Sequence, residues 1–319
     1  MTVKTATLTL FAVILGTSSA AGGESLPAWA YPWAPEIKLP VDDGIARRVP
    51  DSGAIYSLTQ INELFAAVVW HPANHPAPPE VVAVGRKPDF RACASCQRAD
   101  GAGGSENASL AGLPAAYIVQ QLLDYKSGAR KFSGPPRGPS VLMVASARAM
   151  TDDEIRVAAD YFSSLKLKPA YAVIESAKVP RSYVIRVVTL RSPGDATEEI
   201  GQRIVEIPVD TDQFEHRDPR AKFVVYVPPG SIAKGEALVK SGGAGTTIAC
   251  TTCHGADLKG VGPIPDIAGR SPSYTLRQLY DIQQGTRAGA MSVQMTPIVE
   301  KLTNADMNAI AAYLASQQP

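Results

Sequence analysis

The stretch "CTTCH", residues 250–254, and the stretch "CASCQ", residues 93–97, share the same spacing of two cysteines. They lie 157 residues apart, and the similarity continues along the chain at this one offset. The identical pairs include Ala111/Ala268, Gly112/Gly269, Tyr117/Tyr274, Gln121/Gln278, Leu122/Leu279, Asp124/Asp281, Gly128/Gly285 and Arg130/Arg287. Self-similarity at one fixed offset predicts a duplicated domain.

Five additional residues enter the first copy within "KFSGPPRGPSVL", residues 131–142. Beyond this insertion Met143 matches Met295, and Tyr161 matches Tyr313. Both copies are typical of helices, because "PAAYIVQQLLDYKSG" and "PSYTLRQLYDIQQG" place apolar residues three and four apart and each ends on a glycine. Capping boxes, Thr151 with Glu154 and Thr303 with Asp306, predict one more helix start in each copy.

The predicted fold is mainly α, with a first copy over residues 86–168, a second copy over 233–319 and a connector over 169–232. In the connector, "YVIRVVTL" and "QRIVEIPV" are β-branched runs separated by "RSPGDATEE", which predicts a hairpin, and "KFVVYVPPGS" predicts a third strand. Residues 22–85 form a Pro- and Trp-rich extension with one predicted helix in "SLTQINELFAAVV", capped by Ser57.

The first 21 residues have one lysine, an apolar run over residues 6–15 and then small residues. This layout predicts a secretory signal peptide, cleaved after Ala20 or Ala21, and a periplasmic protein. The apolar run is too short to span a bilayer, and no later run is long enough, which predicts no stable membrane insertion.

Charge excludes one class of partner. The 319-residue chain has a net charge of +1, and Lys4 is the only charged residue in the predicted signal peptide, so the mature chain is neutral. A protein that binds nucleic acid usually has a strongly basic surface. The sequence therefore predicts no nucleic-acid partner.

The four cysteines of the 319 residues form two C-x-x-C pairs, for which three chemistries compete. Zinc sites built from such pairs space them by about 15–20 residues, far less than here. Two short disulfides are a second possibility, although a tight C-x-x-C bridge is more often a redox device. The pattern C-x-x-C-H attaches a c-type haem, with the histidine as iron ligand. For Cys250, Cys253 and His254 the haem interpretation is favoured because it alone explains the histidine.

A second axial ligand has to come from a distant loop, and a thioether raises the reduction potential. Met295 and Met291 are the candidates in the second copy. The repeat favours Met295, because Met143 occupies the equivalent position and no methionine matches Met291. The alternative role of Met295 is packing, as for most methionines.

The segment "CTTCHGADLKGVGPIPDIAGRSPSY", followed by Met295 and "LTNADMNAIAAYLAS", resembles a class I cytochrome c domain. The two-copy layout is similar to diheme cytochromes of the c4 and c553 type. That resemblance implies haem c, and a proline carbonyl, here of Pro265, that accepts a hydrogen bond from the proximal imidazole. It also implies an aromatic residue of the last helix near the haem, and Tyr313 fits this position as well as it fits plain helix packing.

The first copy retains Cys93, Cys96 and Met143, but has Gln97 in place of the proximal histidine and Ala108 in place of Pro265. An amide oxygen is a weak ligand for low-spin iron. The favoured interpretation is a haem-free first copy. The alternatives are an open five-coordinate haem ligated by Met143, or ligation by one of the remaining histidines. Of the remaining histidines, His71 and His75 are expected in a solvated loop and His216 at the surface.

Three functions follow from these features. The favoured one is an electron carrier with one His/Met haem, which exchanges electrons with redox partner proteins. The second is a peroxidase-like diheme enzyme with an open haem in the first copy, although no distal acid–base group is evident. The third is a cytochrome subunit of a larger oxidoreductase complex bound to the membrane, which the extra segments at 22–85 and 169–232 favour.

Overall fold

A computed structural model of the chain describes residues 25–34 and 41–319. The predicted signal peptide, residues 1–21, lies outside the described residues. Within the described ranges, no helix has both the length and the apolar composition that crossing a membrane requires.

The first copy and the segment before it are helical. Ser57 and Gln60 form a capping box as expected, but the helix that follows ends at Asn62 rather than continuing through the apolar residues to 69. The helices are α1 Leu58–Asn62, α2 Glu80–Ala83, α3 Cys93–Gln97, α4 Ala115–Ser127, α5 Gly138–Ala149 and α6 Asp152–Ser163.

The second copy begins with a helix that the sequence patterns did not predict. This helix, α8, precedes the short helix α9 that carries the C-x-x-C-H motif. The helices here are α8 Ser231–Ser241, α9 Thr251–His254, α10 Pro272–Gln283, α11 Thr296–Val299 and α12 Asn304–Ser316.

Local sequence signals explain the helix boundaries that the two copies share. Both predicted capping boxes are present, at Thr151 before α6 and at Thr303 before α12. Helix α4 ends at Gly128, whose φ of 80° lies in the left-handed region that favours glycine. The structure confirms these boundaries, and the two cysteine motifs precede equivalent helices in the two copies.

The connector contains every strand in the described part of the chain, together with helix α7 (Thr211–Glu215). Its three-stranded sheet has the order β1-β7-β6, with β1 parallel and β6 antiparallel to the central strand β7. The strands are β1 Tyr171–Glu175, β2 Lys178–Pro180, β3 Ser182–Ile185, β4 Val188–Arg191, β5 Thr197–Glu199, β6 Val205–Pro208 and β7 Phe223–Val227.

The predicted pairing of the connector strands is wrong. The run 183–190 does not pair with the run 202–209; it folds on itself as the β3–β4 hairpin, in which Tyr183 faces Leu190. The run 222–231 supplies β7, the central strand of the sheet rather than an added third strand. β-branched composition identifies strands, but it does not specify which of several strands pair.

Helices α8 and α12 pack closely against each other in the second copy. Gly235 of α8 lies so close to α12 that a Cβ atom there would be 2.0 Å from the carbonyl oxygen of Ala309. The buried residues of both helices belong to one core together with Val225 and Val227 of β7. The connector sheet is therefore part of the second copy's core.

The two copies meet at the loops that follow α4 and α10. Arg130 and Arg287, equivalent residues of the repeat, form an antiparallel β-bridge at this seam. The segment 25–34 lies against the same seam: Tyr31 donates a hydrogen bond of 2.8 Å to Asp281, and Ala30 accepts one of 2.9 Å from Arg277. The seam is thus covered by a part of the N-terminal extension.

Helix α10 is capped by a buried carboxylate of the connector. Glu206 of β6 is 3% exposed and accepts hydrogen bonds from the Ser271 hydroxyl at 2.9 Å and the Ser273 backbone N–H at 3.1 Å. Burial raises the pKa of Glu206 above its ordinary value, and the hydrogen bonds from Ser273 and Ser271 only partly offset this.

We expect the raised pKa of Glu206 to make the protein less stable as pH rises. The folded state holds the carboxyl proton more tightly than the unfolded state, so stability falls between the ordinary and the raised pKa. Relative to Glu206→Gln, the wild type should lose free energy of unfolding between about pH 4 and about pH 7. Denaturant unfolding of both proteins at the two pH values measures this; a constant difference between them would contradict it.

Candidate haem-binding site

A cavity of about 560 Å³ lies between the two copies and is continuous from one to the other. Its volume is in the range of cofactor pockets, and its walls are mainly apolar. The structure brings every predicted site residue to this one cavity. These residues are Cys93, Cys96, Gln97 and Met143 from the first copy, and Cys250, Cys253, His254, Pro265 and Met295 from the second.

The imidazole of His254 is held in a fixed orientation. Its Nδ1 lies 2.8 Å from the carbonyl oxygen of Pro265, and the ring is buried. A carbonyl only accepts, so Nδ1 carries the proton and Nε2 is left with its lone pair. Burial lowers the pKa of His254, against smaller opposing effects of Pro265 and Asp266, and this favours the neutral ring that ligates a metal.

The four cysteines differ in their surroundings. Burial raises the pKa of the Cys250 thiol to about 11, and burial with the neighbouring Cys96 raises that of Cys93 to about 12. Cys253 is exposed, whereas Cys96 is half-buried. Burial thus disfavours the thiolate form of Cys93 and Cys250.

Met295 lies in a single 3₁₀ turn, Val293–Met295, immediately before α11, and it packs against the second copy's core. Met291 also lines the cavity but is 43% exposed. In the first copy, Met143 lies within the regular helix α5 rather than in a loop. The five-residue insertion thus changes the backbone that carries the equivalent methionine.

None of the remaining histidines lines the cavity. The expectation of a solvated loop is wrong for His71, which is 5% exposed and has Nε2 at 3.0 Å from the Asp218 carboxylate. His75 Nδ1 lies 3.1 Å from the Tyr161 hydroxyl. His216 is half-buried. Among the described residues no group of three His, Cys, Asp or Glu side chains could hold a metal ion.

Tyr313, which the resemblance placed either near the haem or in a helix contact, is a packing residue. It does not line the cavity; its Cβ would lie 2.7 Å from a Cβ added at Gly235. The tyrosine therefore supports the crossing of α8 and α12.

The residues of the second copy fit a covalently attached haem. They offer two thiols, an oriented imidazole nitrogen and a thioether sulfur at one apolar cavity, which is the donor set that c-type haem requires. Two buried guanidinium nitrogens at the same cavity, Nη1 of Arg137 and Nε of Arg287, have no hydrogen-bond partner. Such donors suit the anionic groups of a haem.

Sequence reasoning missed the arginines of this cavity. Arg130 and Arg287 were recognised as equivalent repeat positions, but no role was assigned to them. The signal that could have identified them is a charged residue two positions after the glycine that ends a helix, which occurs in both copies. Only the fold shows that both side chains turn into the seam.

A mainly helical chain with this motif and this donor set defines a c-type haem protein. Comparison with known proteins agrees. The cytochrome c family profile matches residues 232–318. Cytochrome c-554(548) of Halomonas halodenitrificans is 37% identical over 70 residues, covering 22% of this chain and 84% of that protein. The chain belongs to the cytochrome c family, which confirms the predicted family, the predicted fold class and haem c as the cofactor.

One other relative is matched over about a third of its own length. Cytochrome c-552 of Acidithiobacillus ferridurans is 38% identical over 84 residues, which are 26% of this chain and 35% of the relative. The thiosulfate dehydrogenase electron acceptor of Thiomonas intermedia is 25% identical over 231 residues, covering 70% of this chain and 79% of that protein. Reduced cytochrome c4 from Pseudomonas stutzeri has a TM-score of 0.46 at 23% identity, covering 71% of this chain and 93% of that structure. Two of these proteins are named cytochromes, and the third is named an electron acceptor.

Proposed function

We propose that the chain carries single electrons in the periplasm through one haem c in the second copy. In this proposal Cys250 and Cys253 form the thioethers, and His254 and Met295 are the axial ligands. The observation that carries it is the 2.8 Å contact between His254 Nδ1 and the Pro265 carbonyl, at a cavity that Met295 also lines. That contact leaves Nε2 available as an iron ligand.

The chain's own groups set how such a site works. The haem supplies a one-electron Fe(III)/Fe(II) couple when it is bound. Pro265 fixes the imidazole plane and increases its basicity, because the carbonyl accepts the Nδ1 proton. A thioether from Met295 favours the reduced state and so raises the potential. Apolar walls exclude water, and the exposed Cys253 marks where the site reaches the surface.

For the first copy we propose the haem-free state. Gln97 offers no imidazole, Ala108 offers no equivalent of Pro265, and among the described residues no histidine other than His254 lines the cavity. One observation favours the alternative of a second haem with an open face: the cavity reaches Cys93, Cys96 and Met143. Binding of carbon monoxide to the reduced protein distinguishes the two, because a closed His/Met site binds it poorly whereas an open haem binds it well.

The electron donor, we propose, is a dehydrogenase. Two relatives are named thiosulfate dehydrogenase electron acceptors, and one of them matches 70% of this chain. Stopped-flow mixing of the oxidised protein with a reduced thiosulfate dehydrogenase tests this donor class. Reduction of the protein as fast as the two solutions mix supports this donor class, and no reduction contradicts it.

The experiment for the proposed function is a potentiometric titration of the purified protein, followed by visible absorption. A single one-electron transition with a low-spin spectrum in both oxidation states is the expected result. A high-spin spectrum, or a protein without a Soret band after expression in a host that matures c-type cytochromes, would contradict it.

Met295→Ala is expected to lower the reduction potential by roughly 0.1 V, a part of the ~0.8 V range that axial ligands control. The variant should also bind carbon monoxide when reduced, because the distal face of the iron is no longer closed. Redox titration and carbon monoxide difference spectra measure the two effects. Met291→Ala is the matched control: its side chain is 43% exposed, and neither property should change. Reversal of this pattern would assign the ligand to Met291.

A further inference from the structure

Buried positive charge is concentrated on the cavity wall where the two copies meet. Five arginine side chains that line the cavity are between 3% and 7% exposed. Among the described residues, Arg270 alone of these five has a carboxylate within 4.0 Å, which is that of Asp266 at 3.8 Å. The other four, Arg130, Arg137, Arg277 and Arg287, are here called the arginine cluster.

The hydrogen bonds of the arginine cluster cross from one copy to the other. Arg130 of the first copy donates to the Tyr274 hydroxyl at 3.0 Å and to Gln278 Oε1 at 2.7 Å in the second copy. Arg287 makes the equivalent bonds in the opposite direction. It donates to the Tyr117 hydroxyl at 2.9 Å and to Gln121 Oε1 at 2.9 Å.

These acceptors are neutral, so they satisfy nitrogen atoms without balancing charge. A buried charge without a counterion is unfavourable, because burial removes its hydration. The positive field has visible effects on its neighbours. Burial acts to raise the pKa of Tyr117, but Arg287 and Arg130 outweigh it and hold that pKa below its usual value. Burial, and then the charge of Arg277, lowers the pKa of Arg137 to about 10, although Tyr31, Asp281 and Glu106 act in the opposite direction.

Two nitrogen atoms of the cluster have no partner in the protein. Nη1 of Arg137 and Nε of Arg287 are buried and unpaired, and both side chains line the cavity. Arg137 lies in the segment 131–142 that carries the insertion of the first copy, and its described contacts are a cation–π contact with Tyr31 at 5.7 Å and a backbone hydrogen bond. Unpaired buried donors on arginines that have no carboxylate within 4.0 Å indicate an anionic ligand.

We propose that the arginine cluster binds the carboxylate edge of the haem in the second copy, and that the first copy supplies Arg130 and Arg137 to that site. The inference rests on the proposed haem at His254 and gives the first copy a role that requires no haem of its own. The first copy then acts as a positively charged cover that neutralises the two haem carboxylates across the seam.

A positive charge beside the haem raises its reduction potential, because the oxidised centre carries one more positive charge than the reduced one. The same charge keeps the haem carboxylates ionised, so the potential should not change with pH near neutrality. Arg137 is the best position to test, because it has few partners in the protein. Its replacement leaves in place the hydrogen bonds that Arg130 and Arg287 make across the seam.

The experiment compares the redox titrations of Arg137→Gln, Arg137→Lys and the wild-type holoprotein at several pH values around neutrality. Arg137→Gln should shift the potential downward and make it pH-dependent, because a haem carboxyl then takes up a proton. Arg137→Lys should keep most of the wild-type potential. Arg156→Gln, which removes a 61% exposed guanidinium from the same copy, is the charge-matched control and should leave the potential unchanged.

Equal potentials and equal pH dependence in Arg137→Gln and Arg156→Gln would overturn the proposal. That outcome differs from failure of the proposed function, in which the wild-type protein itself carries no low-spin haem. If Arg137→Gln does not fold, Arg130→Gln provides the second measurement. This variant removes the other charge that the first copy supplies, and a lowered potential in folded protein supports the proposal while an unchanged one contradicts it.

Discussion

Replacing His254 by glutamine, the residue that the first copy has at position 97, is expected to yield a chain without covalently bound haem. The substitution removes the imidazole that Pro265 orients at 2.8 Å, and an amide oxygen does not replace it as a ligand for low-spin iron. Intact mass and absorption at the Soret band measure the effect, which should be complete loss rather than a partial decrease.

The reciprocal change is the control. Gln97→His restores the full motif beside a cavity that already reaches Cys93, Cys96 and Met143. If the first copy lacks haem only because of this residue, Gln97→His should gain a second covalent haem. A His254→Gln protein that still shows a six-coordinate His/Met spectrum would contradict the assignment of the iron ligand.

Gly235→Ala is expected to destabilise the second copy by at least about 3 kcal/mol, the upper range for overpacked cores. An added Cβ would meet the Ala309 carbonyl oxygen at 2.0 Å and the Tyr313 Cβ at 2.7 Å. The first of these atoms belongs to the backbone of α12, so no side-chain rotation relieves the contact. Separation of α8 and α12 would loosen the core that holds Met295.

Denaturant unfolding measures this difference in free energy. Gly138→Ala is the matched control, because this glycine also lies in a helix and a Cβ there meets nothing within 4 Å. Its expected effect is neutral to slightly stabilising, by about 0.4–1 kcal/mol. Equal stability of Gly235→Ala and wild type would show that the helix crossing tolerates a wider separation than its geometry indicates.

The helical frame was predictable because its signals are local. The repeat offset, the two capping boxes and the terminal glycine of α4 each depend on residues a few positions apart, and the structure confirms them. Helix α8 was missed because Gly235 interrupts its middle. That glycine lowers helix propensity, yet close packing against α12 requires it.

The connector could not be predicted because strand partners are a long-range property. The β3–β4 hairpin turns at Arg186, which has a φ of 53° without being glycine or asparagine, so no turn signal marks the run 183–190. Central strand β7 pairs with β1, some fifty residues earlier, and with β6. Composition carries no information about such pairs.

For the candidate site, the motif itself predicts haem c in the second copy, and the repeat favours Met295 as the ligand, which stays a prediction. The arginine cluster needed the three-dimensional structure, because its interpretation depends on burial and on the lack of a carboxylate within 4.0 Å. His71 illustrates the same limit: its partner Asp218 lies 147 residues later in the chain, and no local pattern links them.

Mass spectrometry of the purified, exported protein after proteolysis tests the central claim most directly. We predict one haem per chain, attached to the peptide that contains Cys250 and Cys253, and an unmodified peptide around Cys93 and Cys96. A haem found on the peptide of Cys93 and Cys96, or none on that of Cys250 and Cys253, would contradict the account.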